Sequence, residues 1–293
     1  MRFTNLLFAS LLTLSAACSA ASAAPCSAPM IVAASFDAVA EITRAVGGDR
    51  VCVETIIGPG MEPHDFSPTT GTMRMLSEAK LLVVSGLGLE SAWAPRTAAS
   101  IQTDGKPLTV LEASRSVEPL AAGGGTDPHA WLSPKGAAAM AGEIAKALSG
   151  LDPEGASAYA ANAKAFAAEM STVGSTLEAA AKAHKKPMIV SAHAAFGYVC
   201  RDYGFTCLSA SSVFSGGSPS PKAFAKLSAA CREAGVKTIF SENLENSIIA
   251  RTLAEEVGAA TGVLYTMESP EEGLSFAERM RRNAEAIAAS LGH

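Results

Sequence analysis

Positive charge is scarce in this chain, and so are charged residues in general. They make up 17% of 293 residues, with a net charge of -5 and a pI near 5.6. A nucleic-acid partner would need a basic face, which this balance does not supply. Like-charge blocks and low-complexity tracts are absent, so no disordered interaction arm is expected. Beyond the first residues no run approaches the ~20 apolar positions of a membrane span. There is no Cys-x-x-Cys pair, which argues against a thiolate metal site, and no His-Glu-x-x-His pairing of the metalloprotease kind. What remains is a chain that is 48% hydrophobic and long enough for about two compact domains.

Residues 1–23 read as a secretory signal. Arg2 gives the positive start, Leu6 to Ala17 the apolar stretch, and Ala21-Ser22-Ala23 a small-residue cleavage site, placing maturation near Ala24. Cys18 invites a lipoprotein reading, but Ser15 stands where a lipobox wants an aliphatic residue, so cleavage to a free periplasmic protein is preferred. Five cysteines follow the signal: Cys26, Cys52, Cys200, Cys207 and Cys231. In an oxidising compartment Cys200 and Cys207, which flank a short helix-to-strand connection, are expected to pair. Cys26 and Cys52 lie near the starts of two neighbouring strands and form the second suspected pair, leaving Cys231 free.

One phrase occurs twice. Glu62-Pro63-His64-Asp65-Phe66-Ser67-Pro68 is echoed by Asp127-Pro128-His129-Ala130-Trp131-Leu132-Ser133-Pro134. Each copy has an acid, a proline, a histidine, an aromatic, and a Ser-Pro pair suited to start a helix with Ser as cap and Pro at the first position. Proline biases the residue before it toward extended backbone, so each copy presents one imidazole from a stiff turn. The acids Glu62 and Asp127 are placed to orient those rings. Phe66 and Trp131 are placed either to shield them or simply to pack.

Short valine- and isoleucine-rich runs alternate with helical stretches. The predicted strands are Met30 to Ala34, Val51 to Ile57, Leu81 to Ser85, Leu108 to Leu111, Pro187 to Ala192, Phe205 to Ser209, Val236 to Ser241 and Gly262 to Thr266. This alternation predicts an α/β fold of two (β/α)4-type lobes with parallel sheets. Between the two sets of four runs a long helix, opening at Asp152-Pro153-Glu154 and ending near Lys185. The expected organisation is therefore an N-terminal lobe over 24–151, a connecting helix over 152–185 and a C-terminal lobe over 186–293.

Of five histidines, His184 and His293 read as surface groups. His64 and His193 follow strands, and His129 leads into a helix, so all three belong to loops at a sheet's carboxyl edge, where open α/β sheets bind ligands. A divalent ion held by three neutral imidazoles keeps its full charge, and a carboxylate would close the shell. Glu268, just past the last strand, is the preferred fourth ligand, with Glu242, Glu271 and Glu272 as rivals. An open fourth position would instead suit a zinc hydrolase, and histidines contacting an anion would suit a binder of organic solutes.

The strings EPHDFSP, VSGLGLESAW, DPHAWLSP, SAHAAFGYVCRDYG, SPSPKAF, IFSEN and LYTMES, in this order, give the chain a resemblance to the zinc and manganese solute-binding proteins of bacterial ABC importers, the ZnuA-like group. The resemblance implies two lobes bridged by a backbone helix, a metal in the interlobe cleft, no catalysis, and His64, His129, His193 and Glu268 as its ligands. It also implies a membrane permease as partner, with the chain acting as a monomer. Residues 118–126 lack the histidine-rich loop common in zinc members, and glutamate at 268 replaces the usual aspartate. Manganese and iron members tend to carry glutamate where His193 stands, so zinc is the favoured cargo and manganese or iron the alternative.

Overall fold

The computed structural model describes residues 30–123, 125–211, 214–215, 218–242 and 248–291. The signal segment, Cys18, Cys26 and His293 lie outside the described residues.

The first sheet contains β1 (Met30–Ala34), β2 (Val51–Thr55), β3 (Leu81–Val84) and β4 (Thr109–Glu112), all parallel, in the order β2-β1-β3-β4. The second contains β5 (Met188–Ser191), β6 (Thr206–Ser209), β7 (Thr238–Glu242) and β8 (Ala260–Leu264), also parallel, in the matching order β6-β5-β7-β8. The crossovers of the first sheet run through α1 (Asp37–Gly47), α2 (Thr70–Glu78) and α3 (Ala94–Ser100). Those of the second use α6 (Gly197–Tyr203), α7 (Pro221–Ala234) and α8 (Ile248–Val257). Helices on a parallel sheet bury its strands, which is why Leu81–Val84 is apolar throughout and wholly buried.

Strand boundaries moved for local reasons. Val236 was expected in a strand, but its N–H caps α7 by donating to the Cys231 carbonyl beyond left-handed Gly235, so β7 starts at Thr238. β8 starts earlier than expected because α8 ends at Val257 and Gly258 turns the chain with φ +70°. Ile56 and Ile57 extend past β2 while still donating to the carbonyls of Ala34 and Ser35.

Between the two sheets runs the 28-residue α5 (Ala156–Ala183), roughly 42 Å long at 1.5 Å per residue, with α4 (Pro134–Leu151) of the first half packed along it. Asp152 caps its approach, accepting from the Gly155 N–H at 3.3 Å, and is gripped by Arg50 at 2.7 and 3.0 Å and by the Tyr159 hydroxyl at 2.7 Å. Arg50 beside it holds the Asp152 carboxyl down to about 2. The buried stripe Tyr159, Ala163, Phe166, Met170, Val173, Leu177 and Ala181 faces α4, α1 and α9 (Phe276–Leu291). At Gly174 a Cβ would stand 2.5 Å from the Tyr203 hydroxyl, so α6 approaches α5 closely only because that side chain is missing. A single apolar core runs through β1, β3, α4, α5 and α9 and continues into Ile189, Phe196, Phe240 and Leu264 of the second lobe. A smaller cluster around Val190, Leu227, Ile239 and Leu253 fills that lobe's outer side.

Cys200 and Cys207 form the expected disulfide, and Cys231 is a buried free thiol. Cys52 is disulfide-bonded; the suspected partner, Cys26, is outside the described residues. Among the described residues no helix is long and apolar enough to cross a membrane.

Candidate metal centre

The two echoed turns fold alike at their acid and differently at their Ser-Pro. Glu62 accepts the His64 N–H at 3.1 Å, and Asp127 accepts the His129 N–H at 2.9 Å, so each acid ties down the backbone of the histidine two residues on. Ser133-Pro134 does begin α4, although the Ser133 hydroxyl donates to Asp202 at 2.5 Å and caps nothing. Ser67-Pro68 does not begin α2. Thr69 is the cap there, in a reciprocal box with Thr72 that outcompetes the serine two residues earlier.

Asp127 also accepts from Nδ1 of His129 at 2.7 Å, which fixes that proton and leaves Nε2 as the lone-pair nitrogen facing the cleft. Asp127 is itself held by an unforeseen hairpin, Leu120–Ala122 with Gly125–Asp127. Tyr198 of α6 clasps the hairpin, accepting from the Leu120 N–H at 3.1 Å and donating to the Asp127 carbonyl at 2.8 Å. A Cβ on Gly197 would fall 2.4 Å from the Asp127 carboxylate. A glycine before a tyrosine was the one sequence signal for this support.

His193 follows β5, and Glu242 ends the adjacent β7, so the pair sits at the point where the second sheet's strand order reverses. Their Nδ1 and Oε1 atoms are 2.9 Å apart, leaving the other nitrogen of His193 toward the histidines. Glu268 lies on the segment after β8, four residues beyond its last residue Leu264. Asn283 of α9 grips that segment, bonding both the N–H and the carbonyl of Tyr265 at 2.8 Å. Trp131 donates to the Thr266 carbonyl at 2.8 Å. Met267 adopts a left-handed backbone with φ 61°, a conformation costing roughly 1–2 kcal/mol for such a residue. The Ala38 N–H at the start of α1 holds it there through its carbonyl at 3.0 Å, which turns Glu268 inward.

The three imidazoles come together, and Glu268 reaches two of them. Ring centroids are 5.2 Å apart for His64 and His129, 5.8 Å for His64 and His193, and 4.8 Å for His129 and His193. One nitrogen from each ring lies within 4.8 Å of the others. Glu268 Oε1 is 3.8 Å from His64 Nε2 and 4.0 Å from His129 Nε2. Ligand atoms around a tetrahedral zinc with bonds of about 2.0–2.1 Å stand roughly 3.3 Å apart, so Glu268, at 3.8 and 4.0 Å from two rings, and the ring nitrogens, within 4.8 Å of one another, would have to draw together around an ion. His129 Nε2 and Glu268 Oε1 are buried without a hydrogen-bond partner, an arrangement that costs about 1–3 kcal/mol per atom unless something fills it. Of the rival acids, Glu242 braces His193, while Glu271 is half-buried and Glu272 exposed on the turn beyond. Phe66 meets Trp93 edge to face, and Trp131 lies against His129 with centroids 5.2 Å apart. His184 ends α5, away from the cage.

Contact with Glu268 raises the His64 imidazole above its ordinary value, against the pull of burial. Burial opposes charge on His193, but Glu242, with Glu268 and Glu62, outweighs it and raises that ring too. Burial lowers His129 despite Asp127. Burial pushes the Glu268 carboxyl up, yet His64 and the charges of all three rings more than compensate and hold it below the usual range. A metal needs neutral imidazoles, so His64 and His193 must surrender protons while His129 and Glu268 are already in binding form. Affinity is therefore expected to fall as pH drops through the raised titration range of His64 and His193, where those rings hold their protons. Titration calorimetry in buffers of different ionisation enthalpy checks this; binding without proton release at pH 6 would contradict it.

Two parallel-sheet lobes closing on a histidine–carboxylate cage define a bilobal metal-binding receptor. The family model for the periplasmic component A of a zinc-uptake complex, ZnuA, matches residues 32–290. The chain belongs to the ZnuA family, a family of extracytoplasmic zinc-binding components. It is 34% identical over 275 residues to a Treponema pallidum protein named for metal binding, covering 88% of this chain and 85% of the other. It is 29% identical to the high-affinity zinc uptake system protein ZnuA of Bacillus subtilis, covering 89% and 87%. A Mn-bound periplasmic metal-binding protein of Candidatus Liberibacter asiaticus has the same fold, with a TM-score of 0.79, 25% identity, and coverage of 89% and 99%.

Proposed function

We propose that the protein captures one divalent ion, zinc by preference, on His64, His129, His193 and Glu268, and delivers it to the membrane permease of an ABC importer. The observation that carries this reading is the buried pair of unpartnered atoms, His129 Nε2 and Glu268 Oε1, both aimed at the same small space. Three imidazoles with one carboxylate suit zinc better than the harder manganese, which the cage would take more weakly. With Glu268 as a ligand the shell is closed, and Glu242, a rival acid, is engaged with His193. No place is left for a zinc-activated water, so the protein acts as a carrier and performs no chemistry.

The lobes span 24–151 and 186–293 with residues 152–185 between them, and the protein works as a monomer in the periplasm after losing residues 1–23. The match to a periplasmic zinc-uptake component supports the location.

Because the ion joins both lobes, binding stabilises the folded state through linkage. At zinc 100-fold above Kd the gain is about 2.7 kcal/mol. Protein stripped with chelator should melt on the order of 5–10 °C lower than the zinc-loaded form, with a smaller rise for manganese. Differential scanning calorimetry with each metal tests this. Equal melting with and without zinc would reject the reading.

A further inference from the structure

The cage has an outer annex. Glu62 Oε1 lies 3.9 Å from His64 Nε2, the same nitrogen that Glu268 Oε1 approaches to 3.8 Å. Glu62, His64 and Glu268 thus form a second trio whose ligand atoms all fall within 4.8 Å of one another. It shares two members with the inner cage and exchanges the two remaining imidazoles for one carboxylate at the surface. Side-chain exposure falls from 54% at Glu62 through 33% at His64 to 7% at Glu268 and 5% at His129, a graded path from solvent to the buried end. The unpartnered Oε1 of Glu268 is 3.8 Å from His64 Nε2 and 4.0 Å from His129 Nε2, so it borders both groups.

The echoed turns show how Glu62 departs from a mere brace. Asp127 spends one oxygen on both the backbone N–H and Nδ1 of its histidine, on the side away from the cage. Glu62, one methylene longer, keeps the backbone bond, but its carboxylate lies by Nε2, the metal-facing nitrogen. A hydrated dication cannot shed all its waters at once. It enters a closed site readily only when each water lost is replaced by a donor, and an exposed carboxylate beside an exposed imidazole offers the first two replacements.

Resting on the reading of the inner cage as a metal site, we infer that Glu62, His64 and Glu268 form an outer transit site through which the divalent cation passes. The ion first lands on Glu62 and His64, takes up Glu268, then moves inward as His129 and His193 displace Glu62. The same steps run backward on release. Two oxygens and one nitrogen hold zinc less well than the inner set, so the position is one of passage and not of storage.

Stopped-flow measurement of zinc binding and of zinc loss to an excess chelator tests this with Glu62→Gln. The amide oxygen can still accept the His64 N–H, while the anionic ligand is gone. Asp65→Asn, also exposed and next in sequence to His64, is the control for charge alone. Lost steering slows association only, and the effect fades with added salt. A lost transit ligand slows association and dissociation together, by about tenfold each at high salt, where screening removes steering as an explanation. Rates for Glu62→Gln that match Asp65→Asn, that match the unaltered protein, or that change only in faster dissociation would overturn the transit site. The unaltered protein, measured alongside, tests the inner cage separately. If it fails to bind zinc, the functional reading itself falls, whereas tight binding with unchanged Glu62→Gln rates removes only the annex.

Discussion

Glu268→Ala should weaken zinc binding by more than about 100-fold, because loss of groups that merely support a ligand already costs 10–100-fold. Glu268 is the only carboxylate within 4.0 Å of two of the cage nitrogens, His64 Nε2 and His129 Nε2, among the described residues. Alanine removes the charge that offsets the dication and leaves three neutral rings around it. The side chain is 7% exposed, so water refills the position poorly. Competitive titration against a chromophoric chelator gives the number. Unchanged affinity would remove Glu268 from the cage and make Glu242 the next candidate. His193→Ala should also cost more than tenfold, with the added effect of freeing Glu242.

Arg279→Ala is expected to have the largest effect on stability. This arginine of α9 is 1% exposed and donates to Asp37 at 2.7 Å, to Glu41 at 2.9 Å and to the Ser269 carbonyl at 2.8 Å. It therefore joins the first helix of one lobe to the turn that follows Glu268. Removing one member of a buried ion pair strands the other, at about 3–5 kcal/mol. Asp37, 5% exposed, would be stranded in this way. A melting temperature lower by on the order of 10 °C is expected by circular dichroism. A drop of less than about 2 °C would mean that Asp37 finds another partner or water. Zinc affinity should fall as well, since the Ser269 tether is one of those that aim the neighbouring glutamate.

Both sheets and the spanning helix were legible in the sequence, and so were the three histidines that the fold brings together. Parallel strands buried on two faces must be apolar runs, and runs such as Leu81–Val84 leave little ambiguity. Histidines after such runs point to the binding edge of the sheet whatever their neighbours are. Local capping was less visible: Thr69 and Thr72 form a better box than Ser67 does, and Val236 serves a helix end although its side chain favours a strand. The supports of the cage were hidden because they join positions far apart. In α9, Arg279, Arg281 and Arg282 look interchangeable. Only the spacing of Arg279 from the buried Phe276 and Asn283 places it on the inner face. The Leu120–Asp127 hairpin carries three consecutive glycines and no alternation, so nothing short of Tyr198 packing on it reveals its pairing.

The two halves of the chain repeat one strand order yet each brings only part of the cage: His64 and His129 from one, His193 and Glu268 from the other. A chain that stops after its first half would therefore offer a dication only two of the four proposed donors, and on this reading the ion is held only once the second half has folded against the first.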